Sequence, residues 1–354
     1  MRKIVLWLIL ICLCLSGCAL PTPVTEPTPM TEPTHDGSYE GLLRVHIIDV
    51  GQGDSTLIEL PDGTTMLIDA GERDYGETVV DYLRAEKVEK IDHLIGTHPH
   101  SDHIGGLREV VEGFDIGKVY LPKKASTTAT FQNLLKAIKA KGLSVITAKA
   151  GKEIAAGEDF SVEILSPVEE DYGDEMNLYS VVVRITYGKR RFLFMGDAET
   201  ENEEQMPDVR ADFIRVGHHG SRTSSGAEFV KRVGAQIAVV SVGEDNSYGL
   251  PKQEILERWE KAGAKLYRTD REGSLLFECD GRTITKGDVV FDQTVEVETE
   301  SKWVLNTSTK KIHYPDCSGV SAMKNENKME SDKTIAELTA EGYTVCGTCD
   351  PVEG

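Results

Sequence analysis

Apolar positions along this chain recur every second residue in some stretches and at helical spacing in others, which predicts a fold of sheets and helices. Residues 45–50, 55–60 and 65–69 read as strands. Pro61-Asp62-Gly63 is a strong turn signal, so the second and third should pair as an antiparallel hairpin. Val79, Val80, Tyr82 and Leu83 suit one face of a helix. Phe131, Leu134, Leu135 and Ile138 repeat that spacing, with Lys136, Lys139 and Lys141 opposite. Further strands are expected at 92–97, 180–187, 191–195, 213–216, 237–242, 265–268 and 274–279, and a helix at 255–262. Strands, then alternating elements, then strands again describe an α/β fold of two sheets with helices outside, over residues 41–287.

The N-terminus lies outside this pattern. Arg2 and Lys3 precede an apolar run over 4–15, too short for the roughly 20 residues of a membrane-spanning helix. A basic start, a short apolar core and small residues make 1–17 a secretory signal peptide. Leu15-Ser16-Gly17-Cys18 resembles the bacterial lipobox, which implies lipidation of Cys18 and an extracytoplasmic lipoprotein anchored to the membrane. Ordinary secretion with a chance Cys is the alternative. Pro21, Pro23, Pro27, Pro29 and Pro33 alternate with Thr and Glu, so 18–40 reads as an extended tether.

The 354 residues leave room for about two domains, and a hydrophobic share of 40% fits a packed core. The net charge of −20, from 39 basic and 59 acidic residues, excludes a protein that coats nucleic acid by bulk electrostatics. It leaves open a focused site for a phosphodiester. Seven cysteines are too few for a disulfide scaffold.

The chemistry concentrates in Thr97-His98-Pro99-His100-Ser101-Asp102-His103, directly after an expected strand. Imidazole and carboxylate are ligands for zinc and related ions. His98 and His100 can face one metal, and Asp102 and His103 a second. Asp197, after the 191–195 strand, is placed to bridge them. One of His218 and His219 can complete the second metal, and Asp69 is an acceptor able to orient a ligand His.

These segments resemble the metallo-β-lactamase fold, an αββα sandwich with a dinuclear metal site. The closer similarity is to the C-terminal hydrolase domain of the ComEC competence family, over about 43–285. It is carried by Ile48-Asp49-Val50-Gly51-Gln52-Gly53-Asp54-Ser55, Leu67-Ile68-Asp69-Ala70-Gly71, the His cluster, Asn177-Leu178-Tyr179-Ser180, Gly196-Asp197-Ala198-Glu199, Gly217-His218-His219-Gly220-Ser221 and Tyr267-Arg268-Thr269-Asp270. The resemblance implies two divalent ions, zinc or manganese. His98, His100 and Asp197 would hold the first; Asp102, His103, His219 and bridging Asp197 the second. His218 ranks below His219 as a ligand. The third His that many superfamily members use on the first metal is absent between His103 and Asp197, and Asn177 occupies the region where the ComEC-like group carries Asn, beside the ligands rather than among them. Leu250, in Tyr248-Gly249-Leu250-Pro251, replaces a His of the family and leaves its role open to Tyr248, Asn246 or His218. Asp102 and His219 are the expected catalytic residues, with metal-activated water attacking phosphorus or a carbonyl carbon.

Beyond an acidic linker at 288–301 (Glu296, Glu298, Glu300), residues 302–354 form a second unit. His313-x3-Cys317 and Cys346-x2-Cys349 have the spacing of a structural zinc site; a Cys346–Cys349 disulfide is the alternative. The pattern resembles the small zinc-binding module of the Ada DNA-repair family, including Gly342-Tyr343. His313 replaces one of that family's Cys, so methyl transfer is not expected. Cys279, His46 and His93 read as structural residues. The leading function is a surface-anchored nuclease or phosphodiesterase acting transiently on DNA, with DNA-uptake machinery as a partner by analogy. The alternatives are a hydrolase of a small ester, lactone or lactam, and a non-catalytic binding lipoprotein.

Overall fold

In a computed structural model, residues 41–289, 291, 303–315, 317–331, 333–349 and 351 are described. The signal peptide, Cys18, the tether and the acidic run at 296–300 lie outside them. β1 (Leu43–Ile47), β2 (Ser55–Glu59) and β3 (Thr65–Ala70) make an antiparallel meander, with Pro61-Asp62-Gly63 turning β2 into β3. α1 (Gly76–Ala85), α2 (Ser101–Ile104), α3 (Leu107–Gly113) and α4 (Ala129–Ala140) then alternate with β4 (Lys90–Ile95), β5 (Asp115–Pro122) and β6 (Val145–Ala148). The second sheet adds β7 (Glu153–Ala156), β8 (Phe160–Ser166), β9 (Val182–Tyr187), β10 (Arg190–Phe194), β11 (Phe213–Arg215), β12 (Ile237–Val240) and β13 (Lys265–Arg268). α5 (Thr200–Gln205), α6 (Ala227–Val233) and α7 (Gln253–Lys261) connect its later strands. β14 (Leu275–Cys279) and β15 (Ile284–Gly287) return to the first sheet.

The sheet orders are β15-β14-β1-β2-β3-β4-β5-β6 and β13-β12-β11-β10-β9-β8-β7. Val45, Ile47, Ile58 and Ile68 of one sheet and Val162, Val183, Phe192 and Phe213 of the other share one buried cluster, the sandwich interior. A second cluster packs α1, α3 and α4 on the outer face of the first sheet through Val79, Leu83, Val110, Phe131 and Leu134. A third packs α6 and α7 on the second sheet through Phe229, Val230, Ile255 and Trp259. The result is the expected αββα sandwich.

Several expected strands end early. The apolar runs continue to Val50, Thr97, Met195 and Val242, but pairing stops at Ile47, Ile95, Phe194 and Val240. Val50, Thr97, Met195 and Val242 are buried. They are loop segments packed beneath the site, so hydrophobicity outlasts the ladder.

The C-terminal segment forms a separate four-stranded sheet of Lys328–Ser331, Trp303–Asn306, Lys311–His313 and Thr344–Val345, in that order. Trp303, Leu305, Ile312, Tyr314, Leu338 and Tyr343 make its small core. Thr334 and Glu337 cap its helix Ile335–Ala340 reciprocally. The Arg73 guanidinium lies 3.9 Å from the centre of the Tyr314 ring. No helix among the described residues is long and apolar enough to cross a membrane.

Candidate metal centre

The site lies where β3, β4, β10, β11 and β12 end. Each loop there has a local device that aims its side chain. In β3 the register slips: Ser55 faces Ala70 and Thr56 faces Ile68, leaving Asp69 as the extra residue of a bulge. Its φ of 58 is left-handed, and the bulge turns a fully buried carboxylate toward the His cluster. Asp69 accepts bonds from the Thr97 backbone N–H (2.7 Å), the Thr97 hydroxyl (2.7 Å) and His103 Nδ1 (2.8 Å). In neutral His103 the proton is thereby placed on Nδ1, and Nε2 is the nitrogen that faces the site.

The loop after β11 works harder. His218 and His219 both have φ of 50, a conformation costing roughly 1–2 kcal/mol per non-glycine residue. Gly220 follows at φ 76, where a Cβ would come within 2.6 Å of Pro251 Cβ. The double turn sends the two imidazoles to different partners. His219 donates from Nδ1 to the Ser241 carbonyl (2.9 Å), so its Nε2 also faces inward. His218 Nδ1 instead meets Thr223 Oγ1 (2.8 Å) and Glu199 Oε1 (3.2 Å).

Asp197 divides its oxygens between two groups. Oδ1 lies 3.2 Å from His103 Nε2 and 3.5 Å from His219 Nε2. Oδ2 lies 3.9 Å from His98 Nε2 and 3.6 Å from His218 Nε2. Asp102 Oδ2 completes the first of these groups, 3.3 Å from His219 Nε2 and 3.7 Å from His103 Nε2. His100 completes the second, its Nδ1 2.9 Å from His98 Nε2. Donor atoms of Asp102, His103, Asp197 and His219 lie within 4.8 Å of one another, and so do those of His98, His100 and Asp197. His218 stands beside the second group without joining it. Asn177 is farther out, its Nδ2 donating to Glu199 Oε1 (3.0 Å).

Electrostatics show what the cluster wants. Burial opposes charge on Asp102 and Asp197, but His103 and His219 outweigh it and hold both carboxyls below the usual range. Burial also opposes a charged His103, yet Asp197, Asp102 and Asp69 raise its pKa well above the ordinary value. Burial and the neighbouring His103 push His98 well below it. Without a metal, then, a proton on His103 balances the carboxylates. Among the described residues, buried His103 Nε2, His219 Nε2 and Asp197 Oδ1 have no hydrogen-bond partner. Three inward-facing orphan atoms in a set of imidazoles and carboxylates fit divalent cations, which would displace that proton.

Behind His219 sits Arg215, 2% exposed. It pairs with Asp54, donates to the Gly196 carbonyl (2.7 Å) and lies 3.3 Å from His219 Nδ1. Burial pulls its pKa down to about 9. The Asp54 backbone N–H donates to the Asp102 carbonyl (3.0 Å), and a Cβ at Gly53 would fall 2.5 Å from that oxygen. The Gly-Gln-Gly-Asp segment therefore grips the ligand loop from below. Arg215, Asp54, Thr97 and Ser180, whose hydroxyl accepts the Asp197 backbone N–H (3.1 Å), were not singled out by the sequence reading. A charged residue inside the apolar run Phe213-Ile214-Arg215-Val216 was the available signal.

His46 bonds Tyr82 and Glu59 and lies in a further His–carboxylate group with Glu59 and Glu86, and His93 packs beside Tyr120. Cys279 is a buried strand residue. In the C-terminal unit His313, Cys317, Cys346 and Cys349 bring their ligand atoms within 4.8 Å of one another, and all three Cys are free thiols.

An αββα sandwich with paired imidazole–carboxylate clusters at its strand ends defines a metallo-hydrolase class. Residues 48–244 match the model of the metallo-beta-lactamase superfamily, and the chain belongs to that superfamily. It is similar to ComE operon protein 3 of Bacillus subtilis, at 29% identity over 262 residues, which is 68% of this chain and 34% of the relative. It is 30% identical over 239 residues to competence protein ComA of Neisseria gonorrhoeae, covering 66% of this chain and 32% of that one. Recombination protein 2 of Haemophilus influenzae is 26% identical, over 66% of this chain and 28% of the relative. The match thus spans about a third of these relatives' length. The chain is a metallo-β-lactamase-fold hydrolase related to the competence proteins.

Proposed function

We propose that this chain is a dinuclear-metal phosphodiesterase that cleaves DNA. The observation that carries the reading is Asp197, whose two oxygens face two separate imidazole groups, in a chain related to proteins named for competence and recombination. His98, His100 and Asp197 would hold one ion; Asp102, His103, His219 and Asp197 the other, zinc or manganese. When bound, such a pair supplies Lewis acidity and a hydroxide nucleophile at neutral pH.

The chain's own groups do the rest. Asp69 and the Ser241 carbonyl hold the protons of His103 and His219 on Nδ1. Asp102, the more exposed of the two acidic ligands and held ionised, is placed to accept the proton of the attacking water. As oxygen bonds to phosphorus the leaving P–O bond breaks, and the departing oxygen needs a proton. Leu250 cannot give one, and it packs toward the apolar cluster under α7. Asn246 spends its amide on the Gly243 and Leu250 carbonyls. That leaves exposed Tyr248 and His218, partly exposed and anchored by Glu199 and Thr223, as the groups able to donate it.

The full chain should degrade linear DNA with manganese or zinc and stop with chelator. Intact DNA under several metals, while a small ester or lactam turns over, would replace this reading with the small-molecule one. We further propose one structural zinc on His313, Cys317, Cys346 and Cys349, and extracytoplasmic anchoring to the membrane through lipid on Cys18. Cys18→Ala should release the protein from membranes; unchanged membrane retention would remove the anchor.

A further inference from the structure

At the end of the second sheet away from the metal centre, the β9–β10 turn, the start of β11 and the end of α6 enclose a groove of about 450 Å³. Lys189, Arg191, Arg210, Lys231 and Arg232 line it, with Asp212 as its one lining carboxylate among the described residues. Asp212 is already engaged, accepting Arg190 Nη1 (2.7 Å) and the Arg191 backbone N–H (2.9 Å). Beside the groove Asp208 is shared by Arg184, Arg191 and Arg210 at 3.3, 3.3 and 3.6 Å, and Arg184 also pairs with Glu163 at 2.7 Å. Arg232 donates to the backbone carbonyls of Glu203, Met206 and Pro207. Carbonyls orient a guanidinium and leave its charge unneutralised. Lys231 reaches Glu228 only at 4.0 Å, with both side chains in solvent. In a chain of net charge −20, this is a concentrated positive groove built from three separate segments.

We propose that this groove is an anion-binding exosite that holds the phosphates of a phosphodiester chain while the metal centre cleaves the same chain elsewhere. This rests on the reading of that centre as a DNA phosphodiesterase. Arginine forks match phosphate oxygens, and lysines add mobile charge. Arg191 lies at the start of β10 and Asp197 three residues past its end at Phe194, at most about 20 Å away at strand rise. A ligand must carry several phosphates to occupy both places. A membrane surface fits less well: the exposed large apolar residues among those described are Leu135, Val145, Tyr248 and Met329, and none borders the groove.

The test compares the full chain with a Lys189→Glu/Lys231→Glu variant, neither residue touching the metal ligands. Binding of a long fluorescent single-stranded oligonucleotide is measured in chelator across salt, and hydrolysis of bis(p-nitrophenyl) phosphate is measured with metal. The variant should bind the long oligonucleotide about tenfold more weakly, with a salt slope smaller by about 2. A dinucleotide, too short to reach both places, should compete equally with either protein. Turnover of the small phosphodiester should not change. Unchanged affinity and slope for the long oligonucleotide would overturn the exosite. So would a variant whose only defect is lost binding to phosphatidylglycerol vesicles. If the small diester and DNA both stay intact, the catalytic reading fails, while the binding arm still reports on the groove.

Discussion

Two clusters of metal-type ligands among the described residues, the hydrolase cluster and the C-terminal one, are built in opposite ways. The hydrolase cluster draws donors from loops after β4, β10 and β11, so both sheets must be folded before its members meet. It mixes carboxylate with imidazole, and Asp102 stands at its open side. The C-terminal cluster uses one imidazole and three thiols from two short segments, with no carboxylate, in a unit whose buried side chains form two small clusters. The first is a site that a large core can support unaided. The second is an arrangement in which bound metal would supply much of the folding free energy. Ligand chemistry alone does not separate a catalytic from a structural centre; what surrounds the ligands does.

The sharpest way to break this contrast is to remove one ligand from each cluster. Asp197→Ala should abolish turnover, by at least a thousandfold in order of magnitude, and lower the metal content of the hydrolase centre. Circular dichroism should show the sandwich intact; retained full activity would sink the bridging assignment. Cys346→Ser should do the reverse, with zinc lost and limited proteolysis cutting the C-terminal unit while hydrolysis persists. A C-terminal unit that stays protease-resistant without zinc would refute its dependence on metal.

Smaller effects probe how each ligand is aimed. Removing one partner of the Arg215–Asp54 pair, as in Asp54→Asn, should cost about 3–5 kcal/mol by leaving a buried charge uncompensated. Denaturant unfolding measures this; a loss below the error of the fit would show the pair to be dispensable. Asp69→Asn, which keeps the shape but weakens the hold on His103, should lower metal affinity or turnover by about 10–100-fold. Calorimetric metal titration is the direct readout.

A further effect lies away from both clusters. Burial raises the Glu203 carboxyl from 4.5 to about 7, although it accepts the Ser225 and Gly226 backbone N–H groups. The folded state therefore binds this proton more tightly than the unfolded one. The stability it contributes is fully present below about 4.5 and is lost as pH rises toward 7, on the order of 2–3 kcal/mol. Glu203→Gln should flatten that slope in unfolding curves between those pH values; an unchanged slope would assign it elsewhere.

Much of the site was legible because its chemistry is local in sequence. His98, His100, Asp102 and His103 fall on one loop, and the Gly-Asp and Gly-His-His-Gly segments end apolar strands. The grip behind the ligands was hidden, since Asp54, Thr97, Ser180 and Arg215 acquire roles only when five loops converge. The Asp69 acceptor could be read, but the bulge that turns it could not, because register slips are set across strands. In the fold, β8 went unread although Phe160, Val162 and Ile164 alternate cleanly with half-exposed positions. β5 went unread because Gly117 and Lys118 interrupt its apolar run.

The central claim is that Asp197 joins two ions into one hydrolytic centre for a phosphodiester. Metal-stripped full chain, its C-terminal site refilled with zinc, can be titrated with manganese while cleavage of linear DNA is followed. The account predicts activity that rises until two further equivalents are bound and stays at baseline throughout in Asp197→Ala. DNA that stays intact at every metal loading, or cleavage that Asp197→Ala retains, would contradict it.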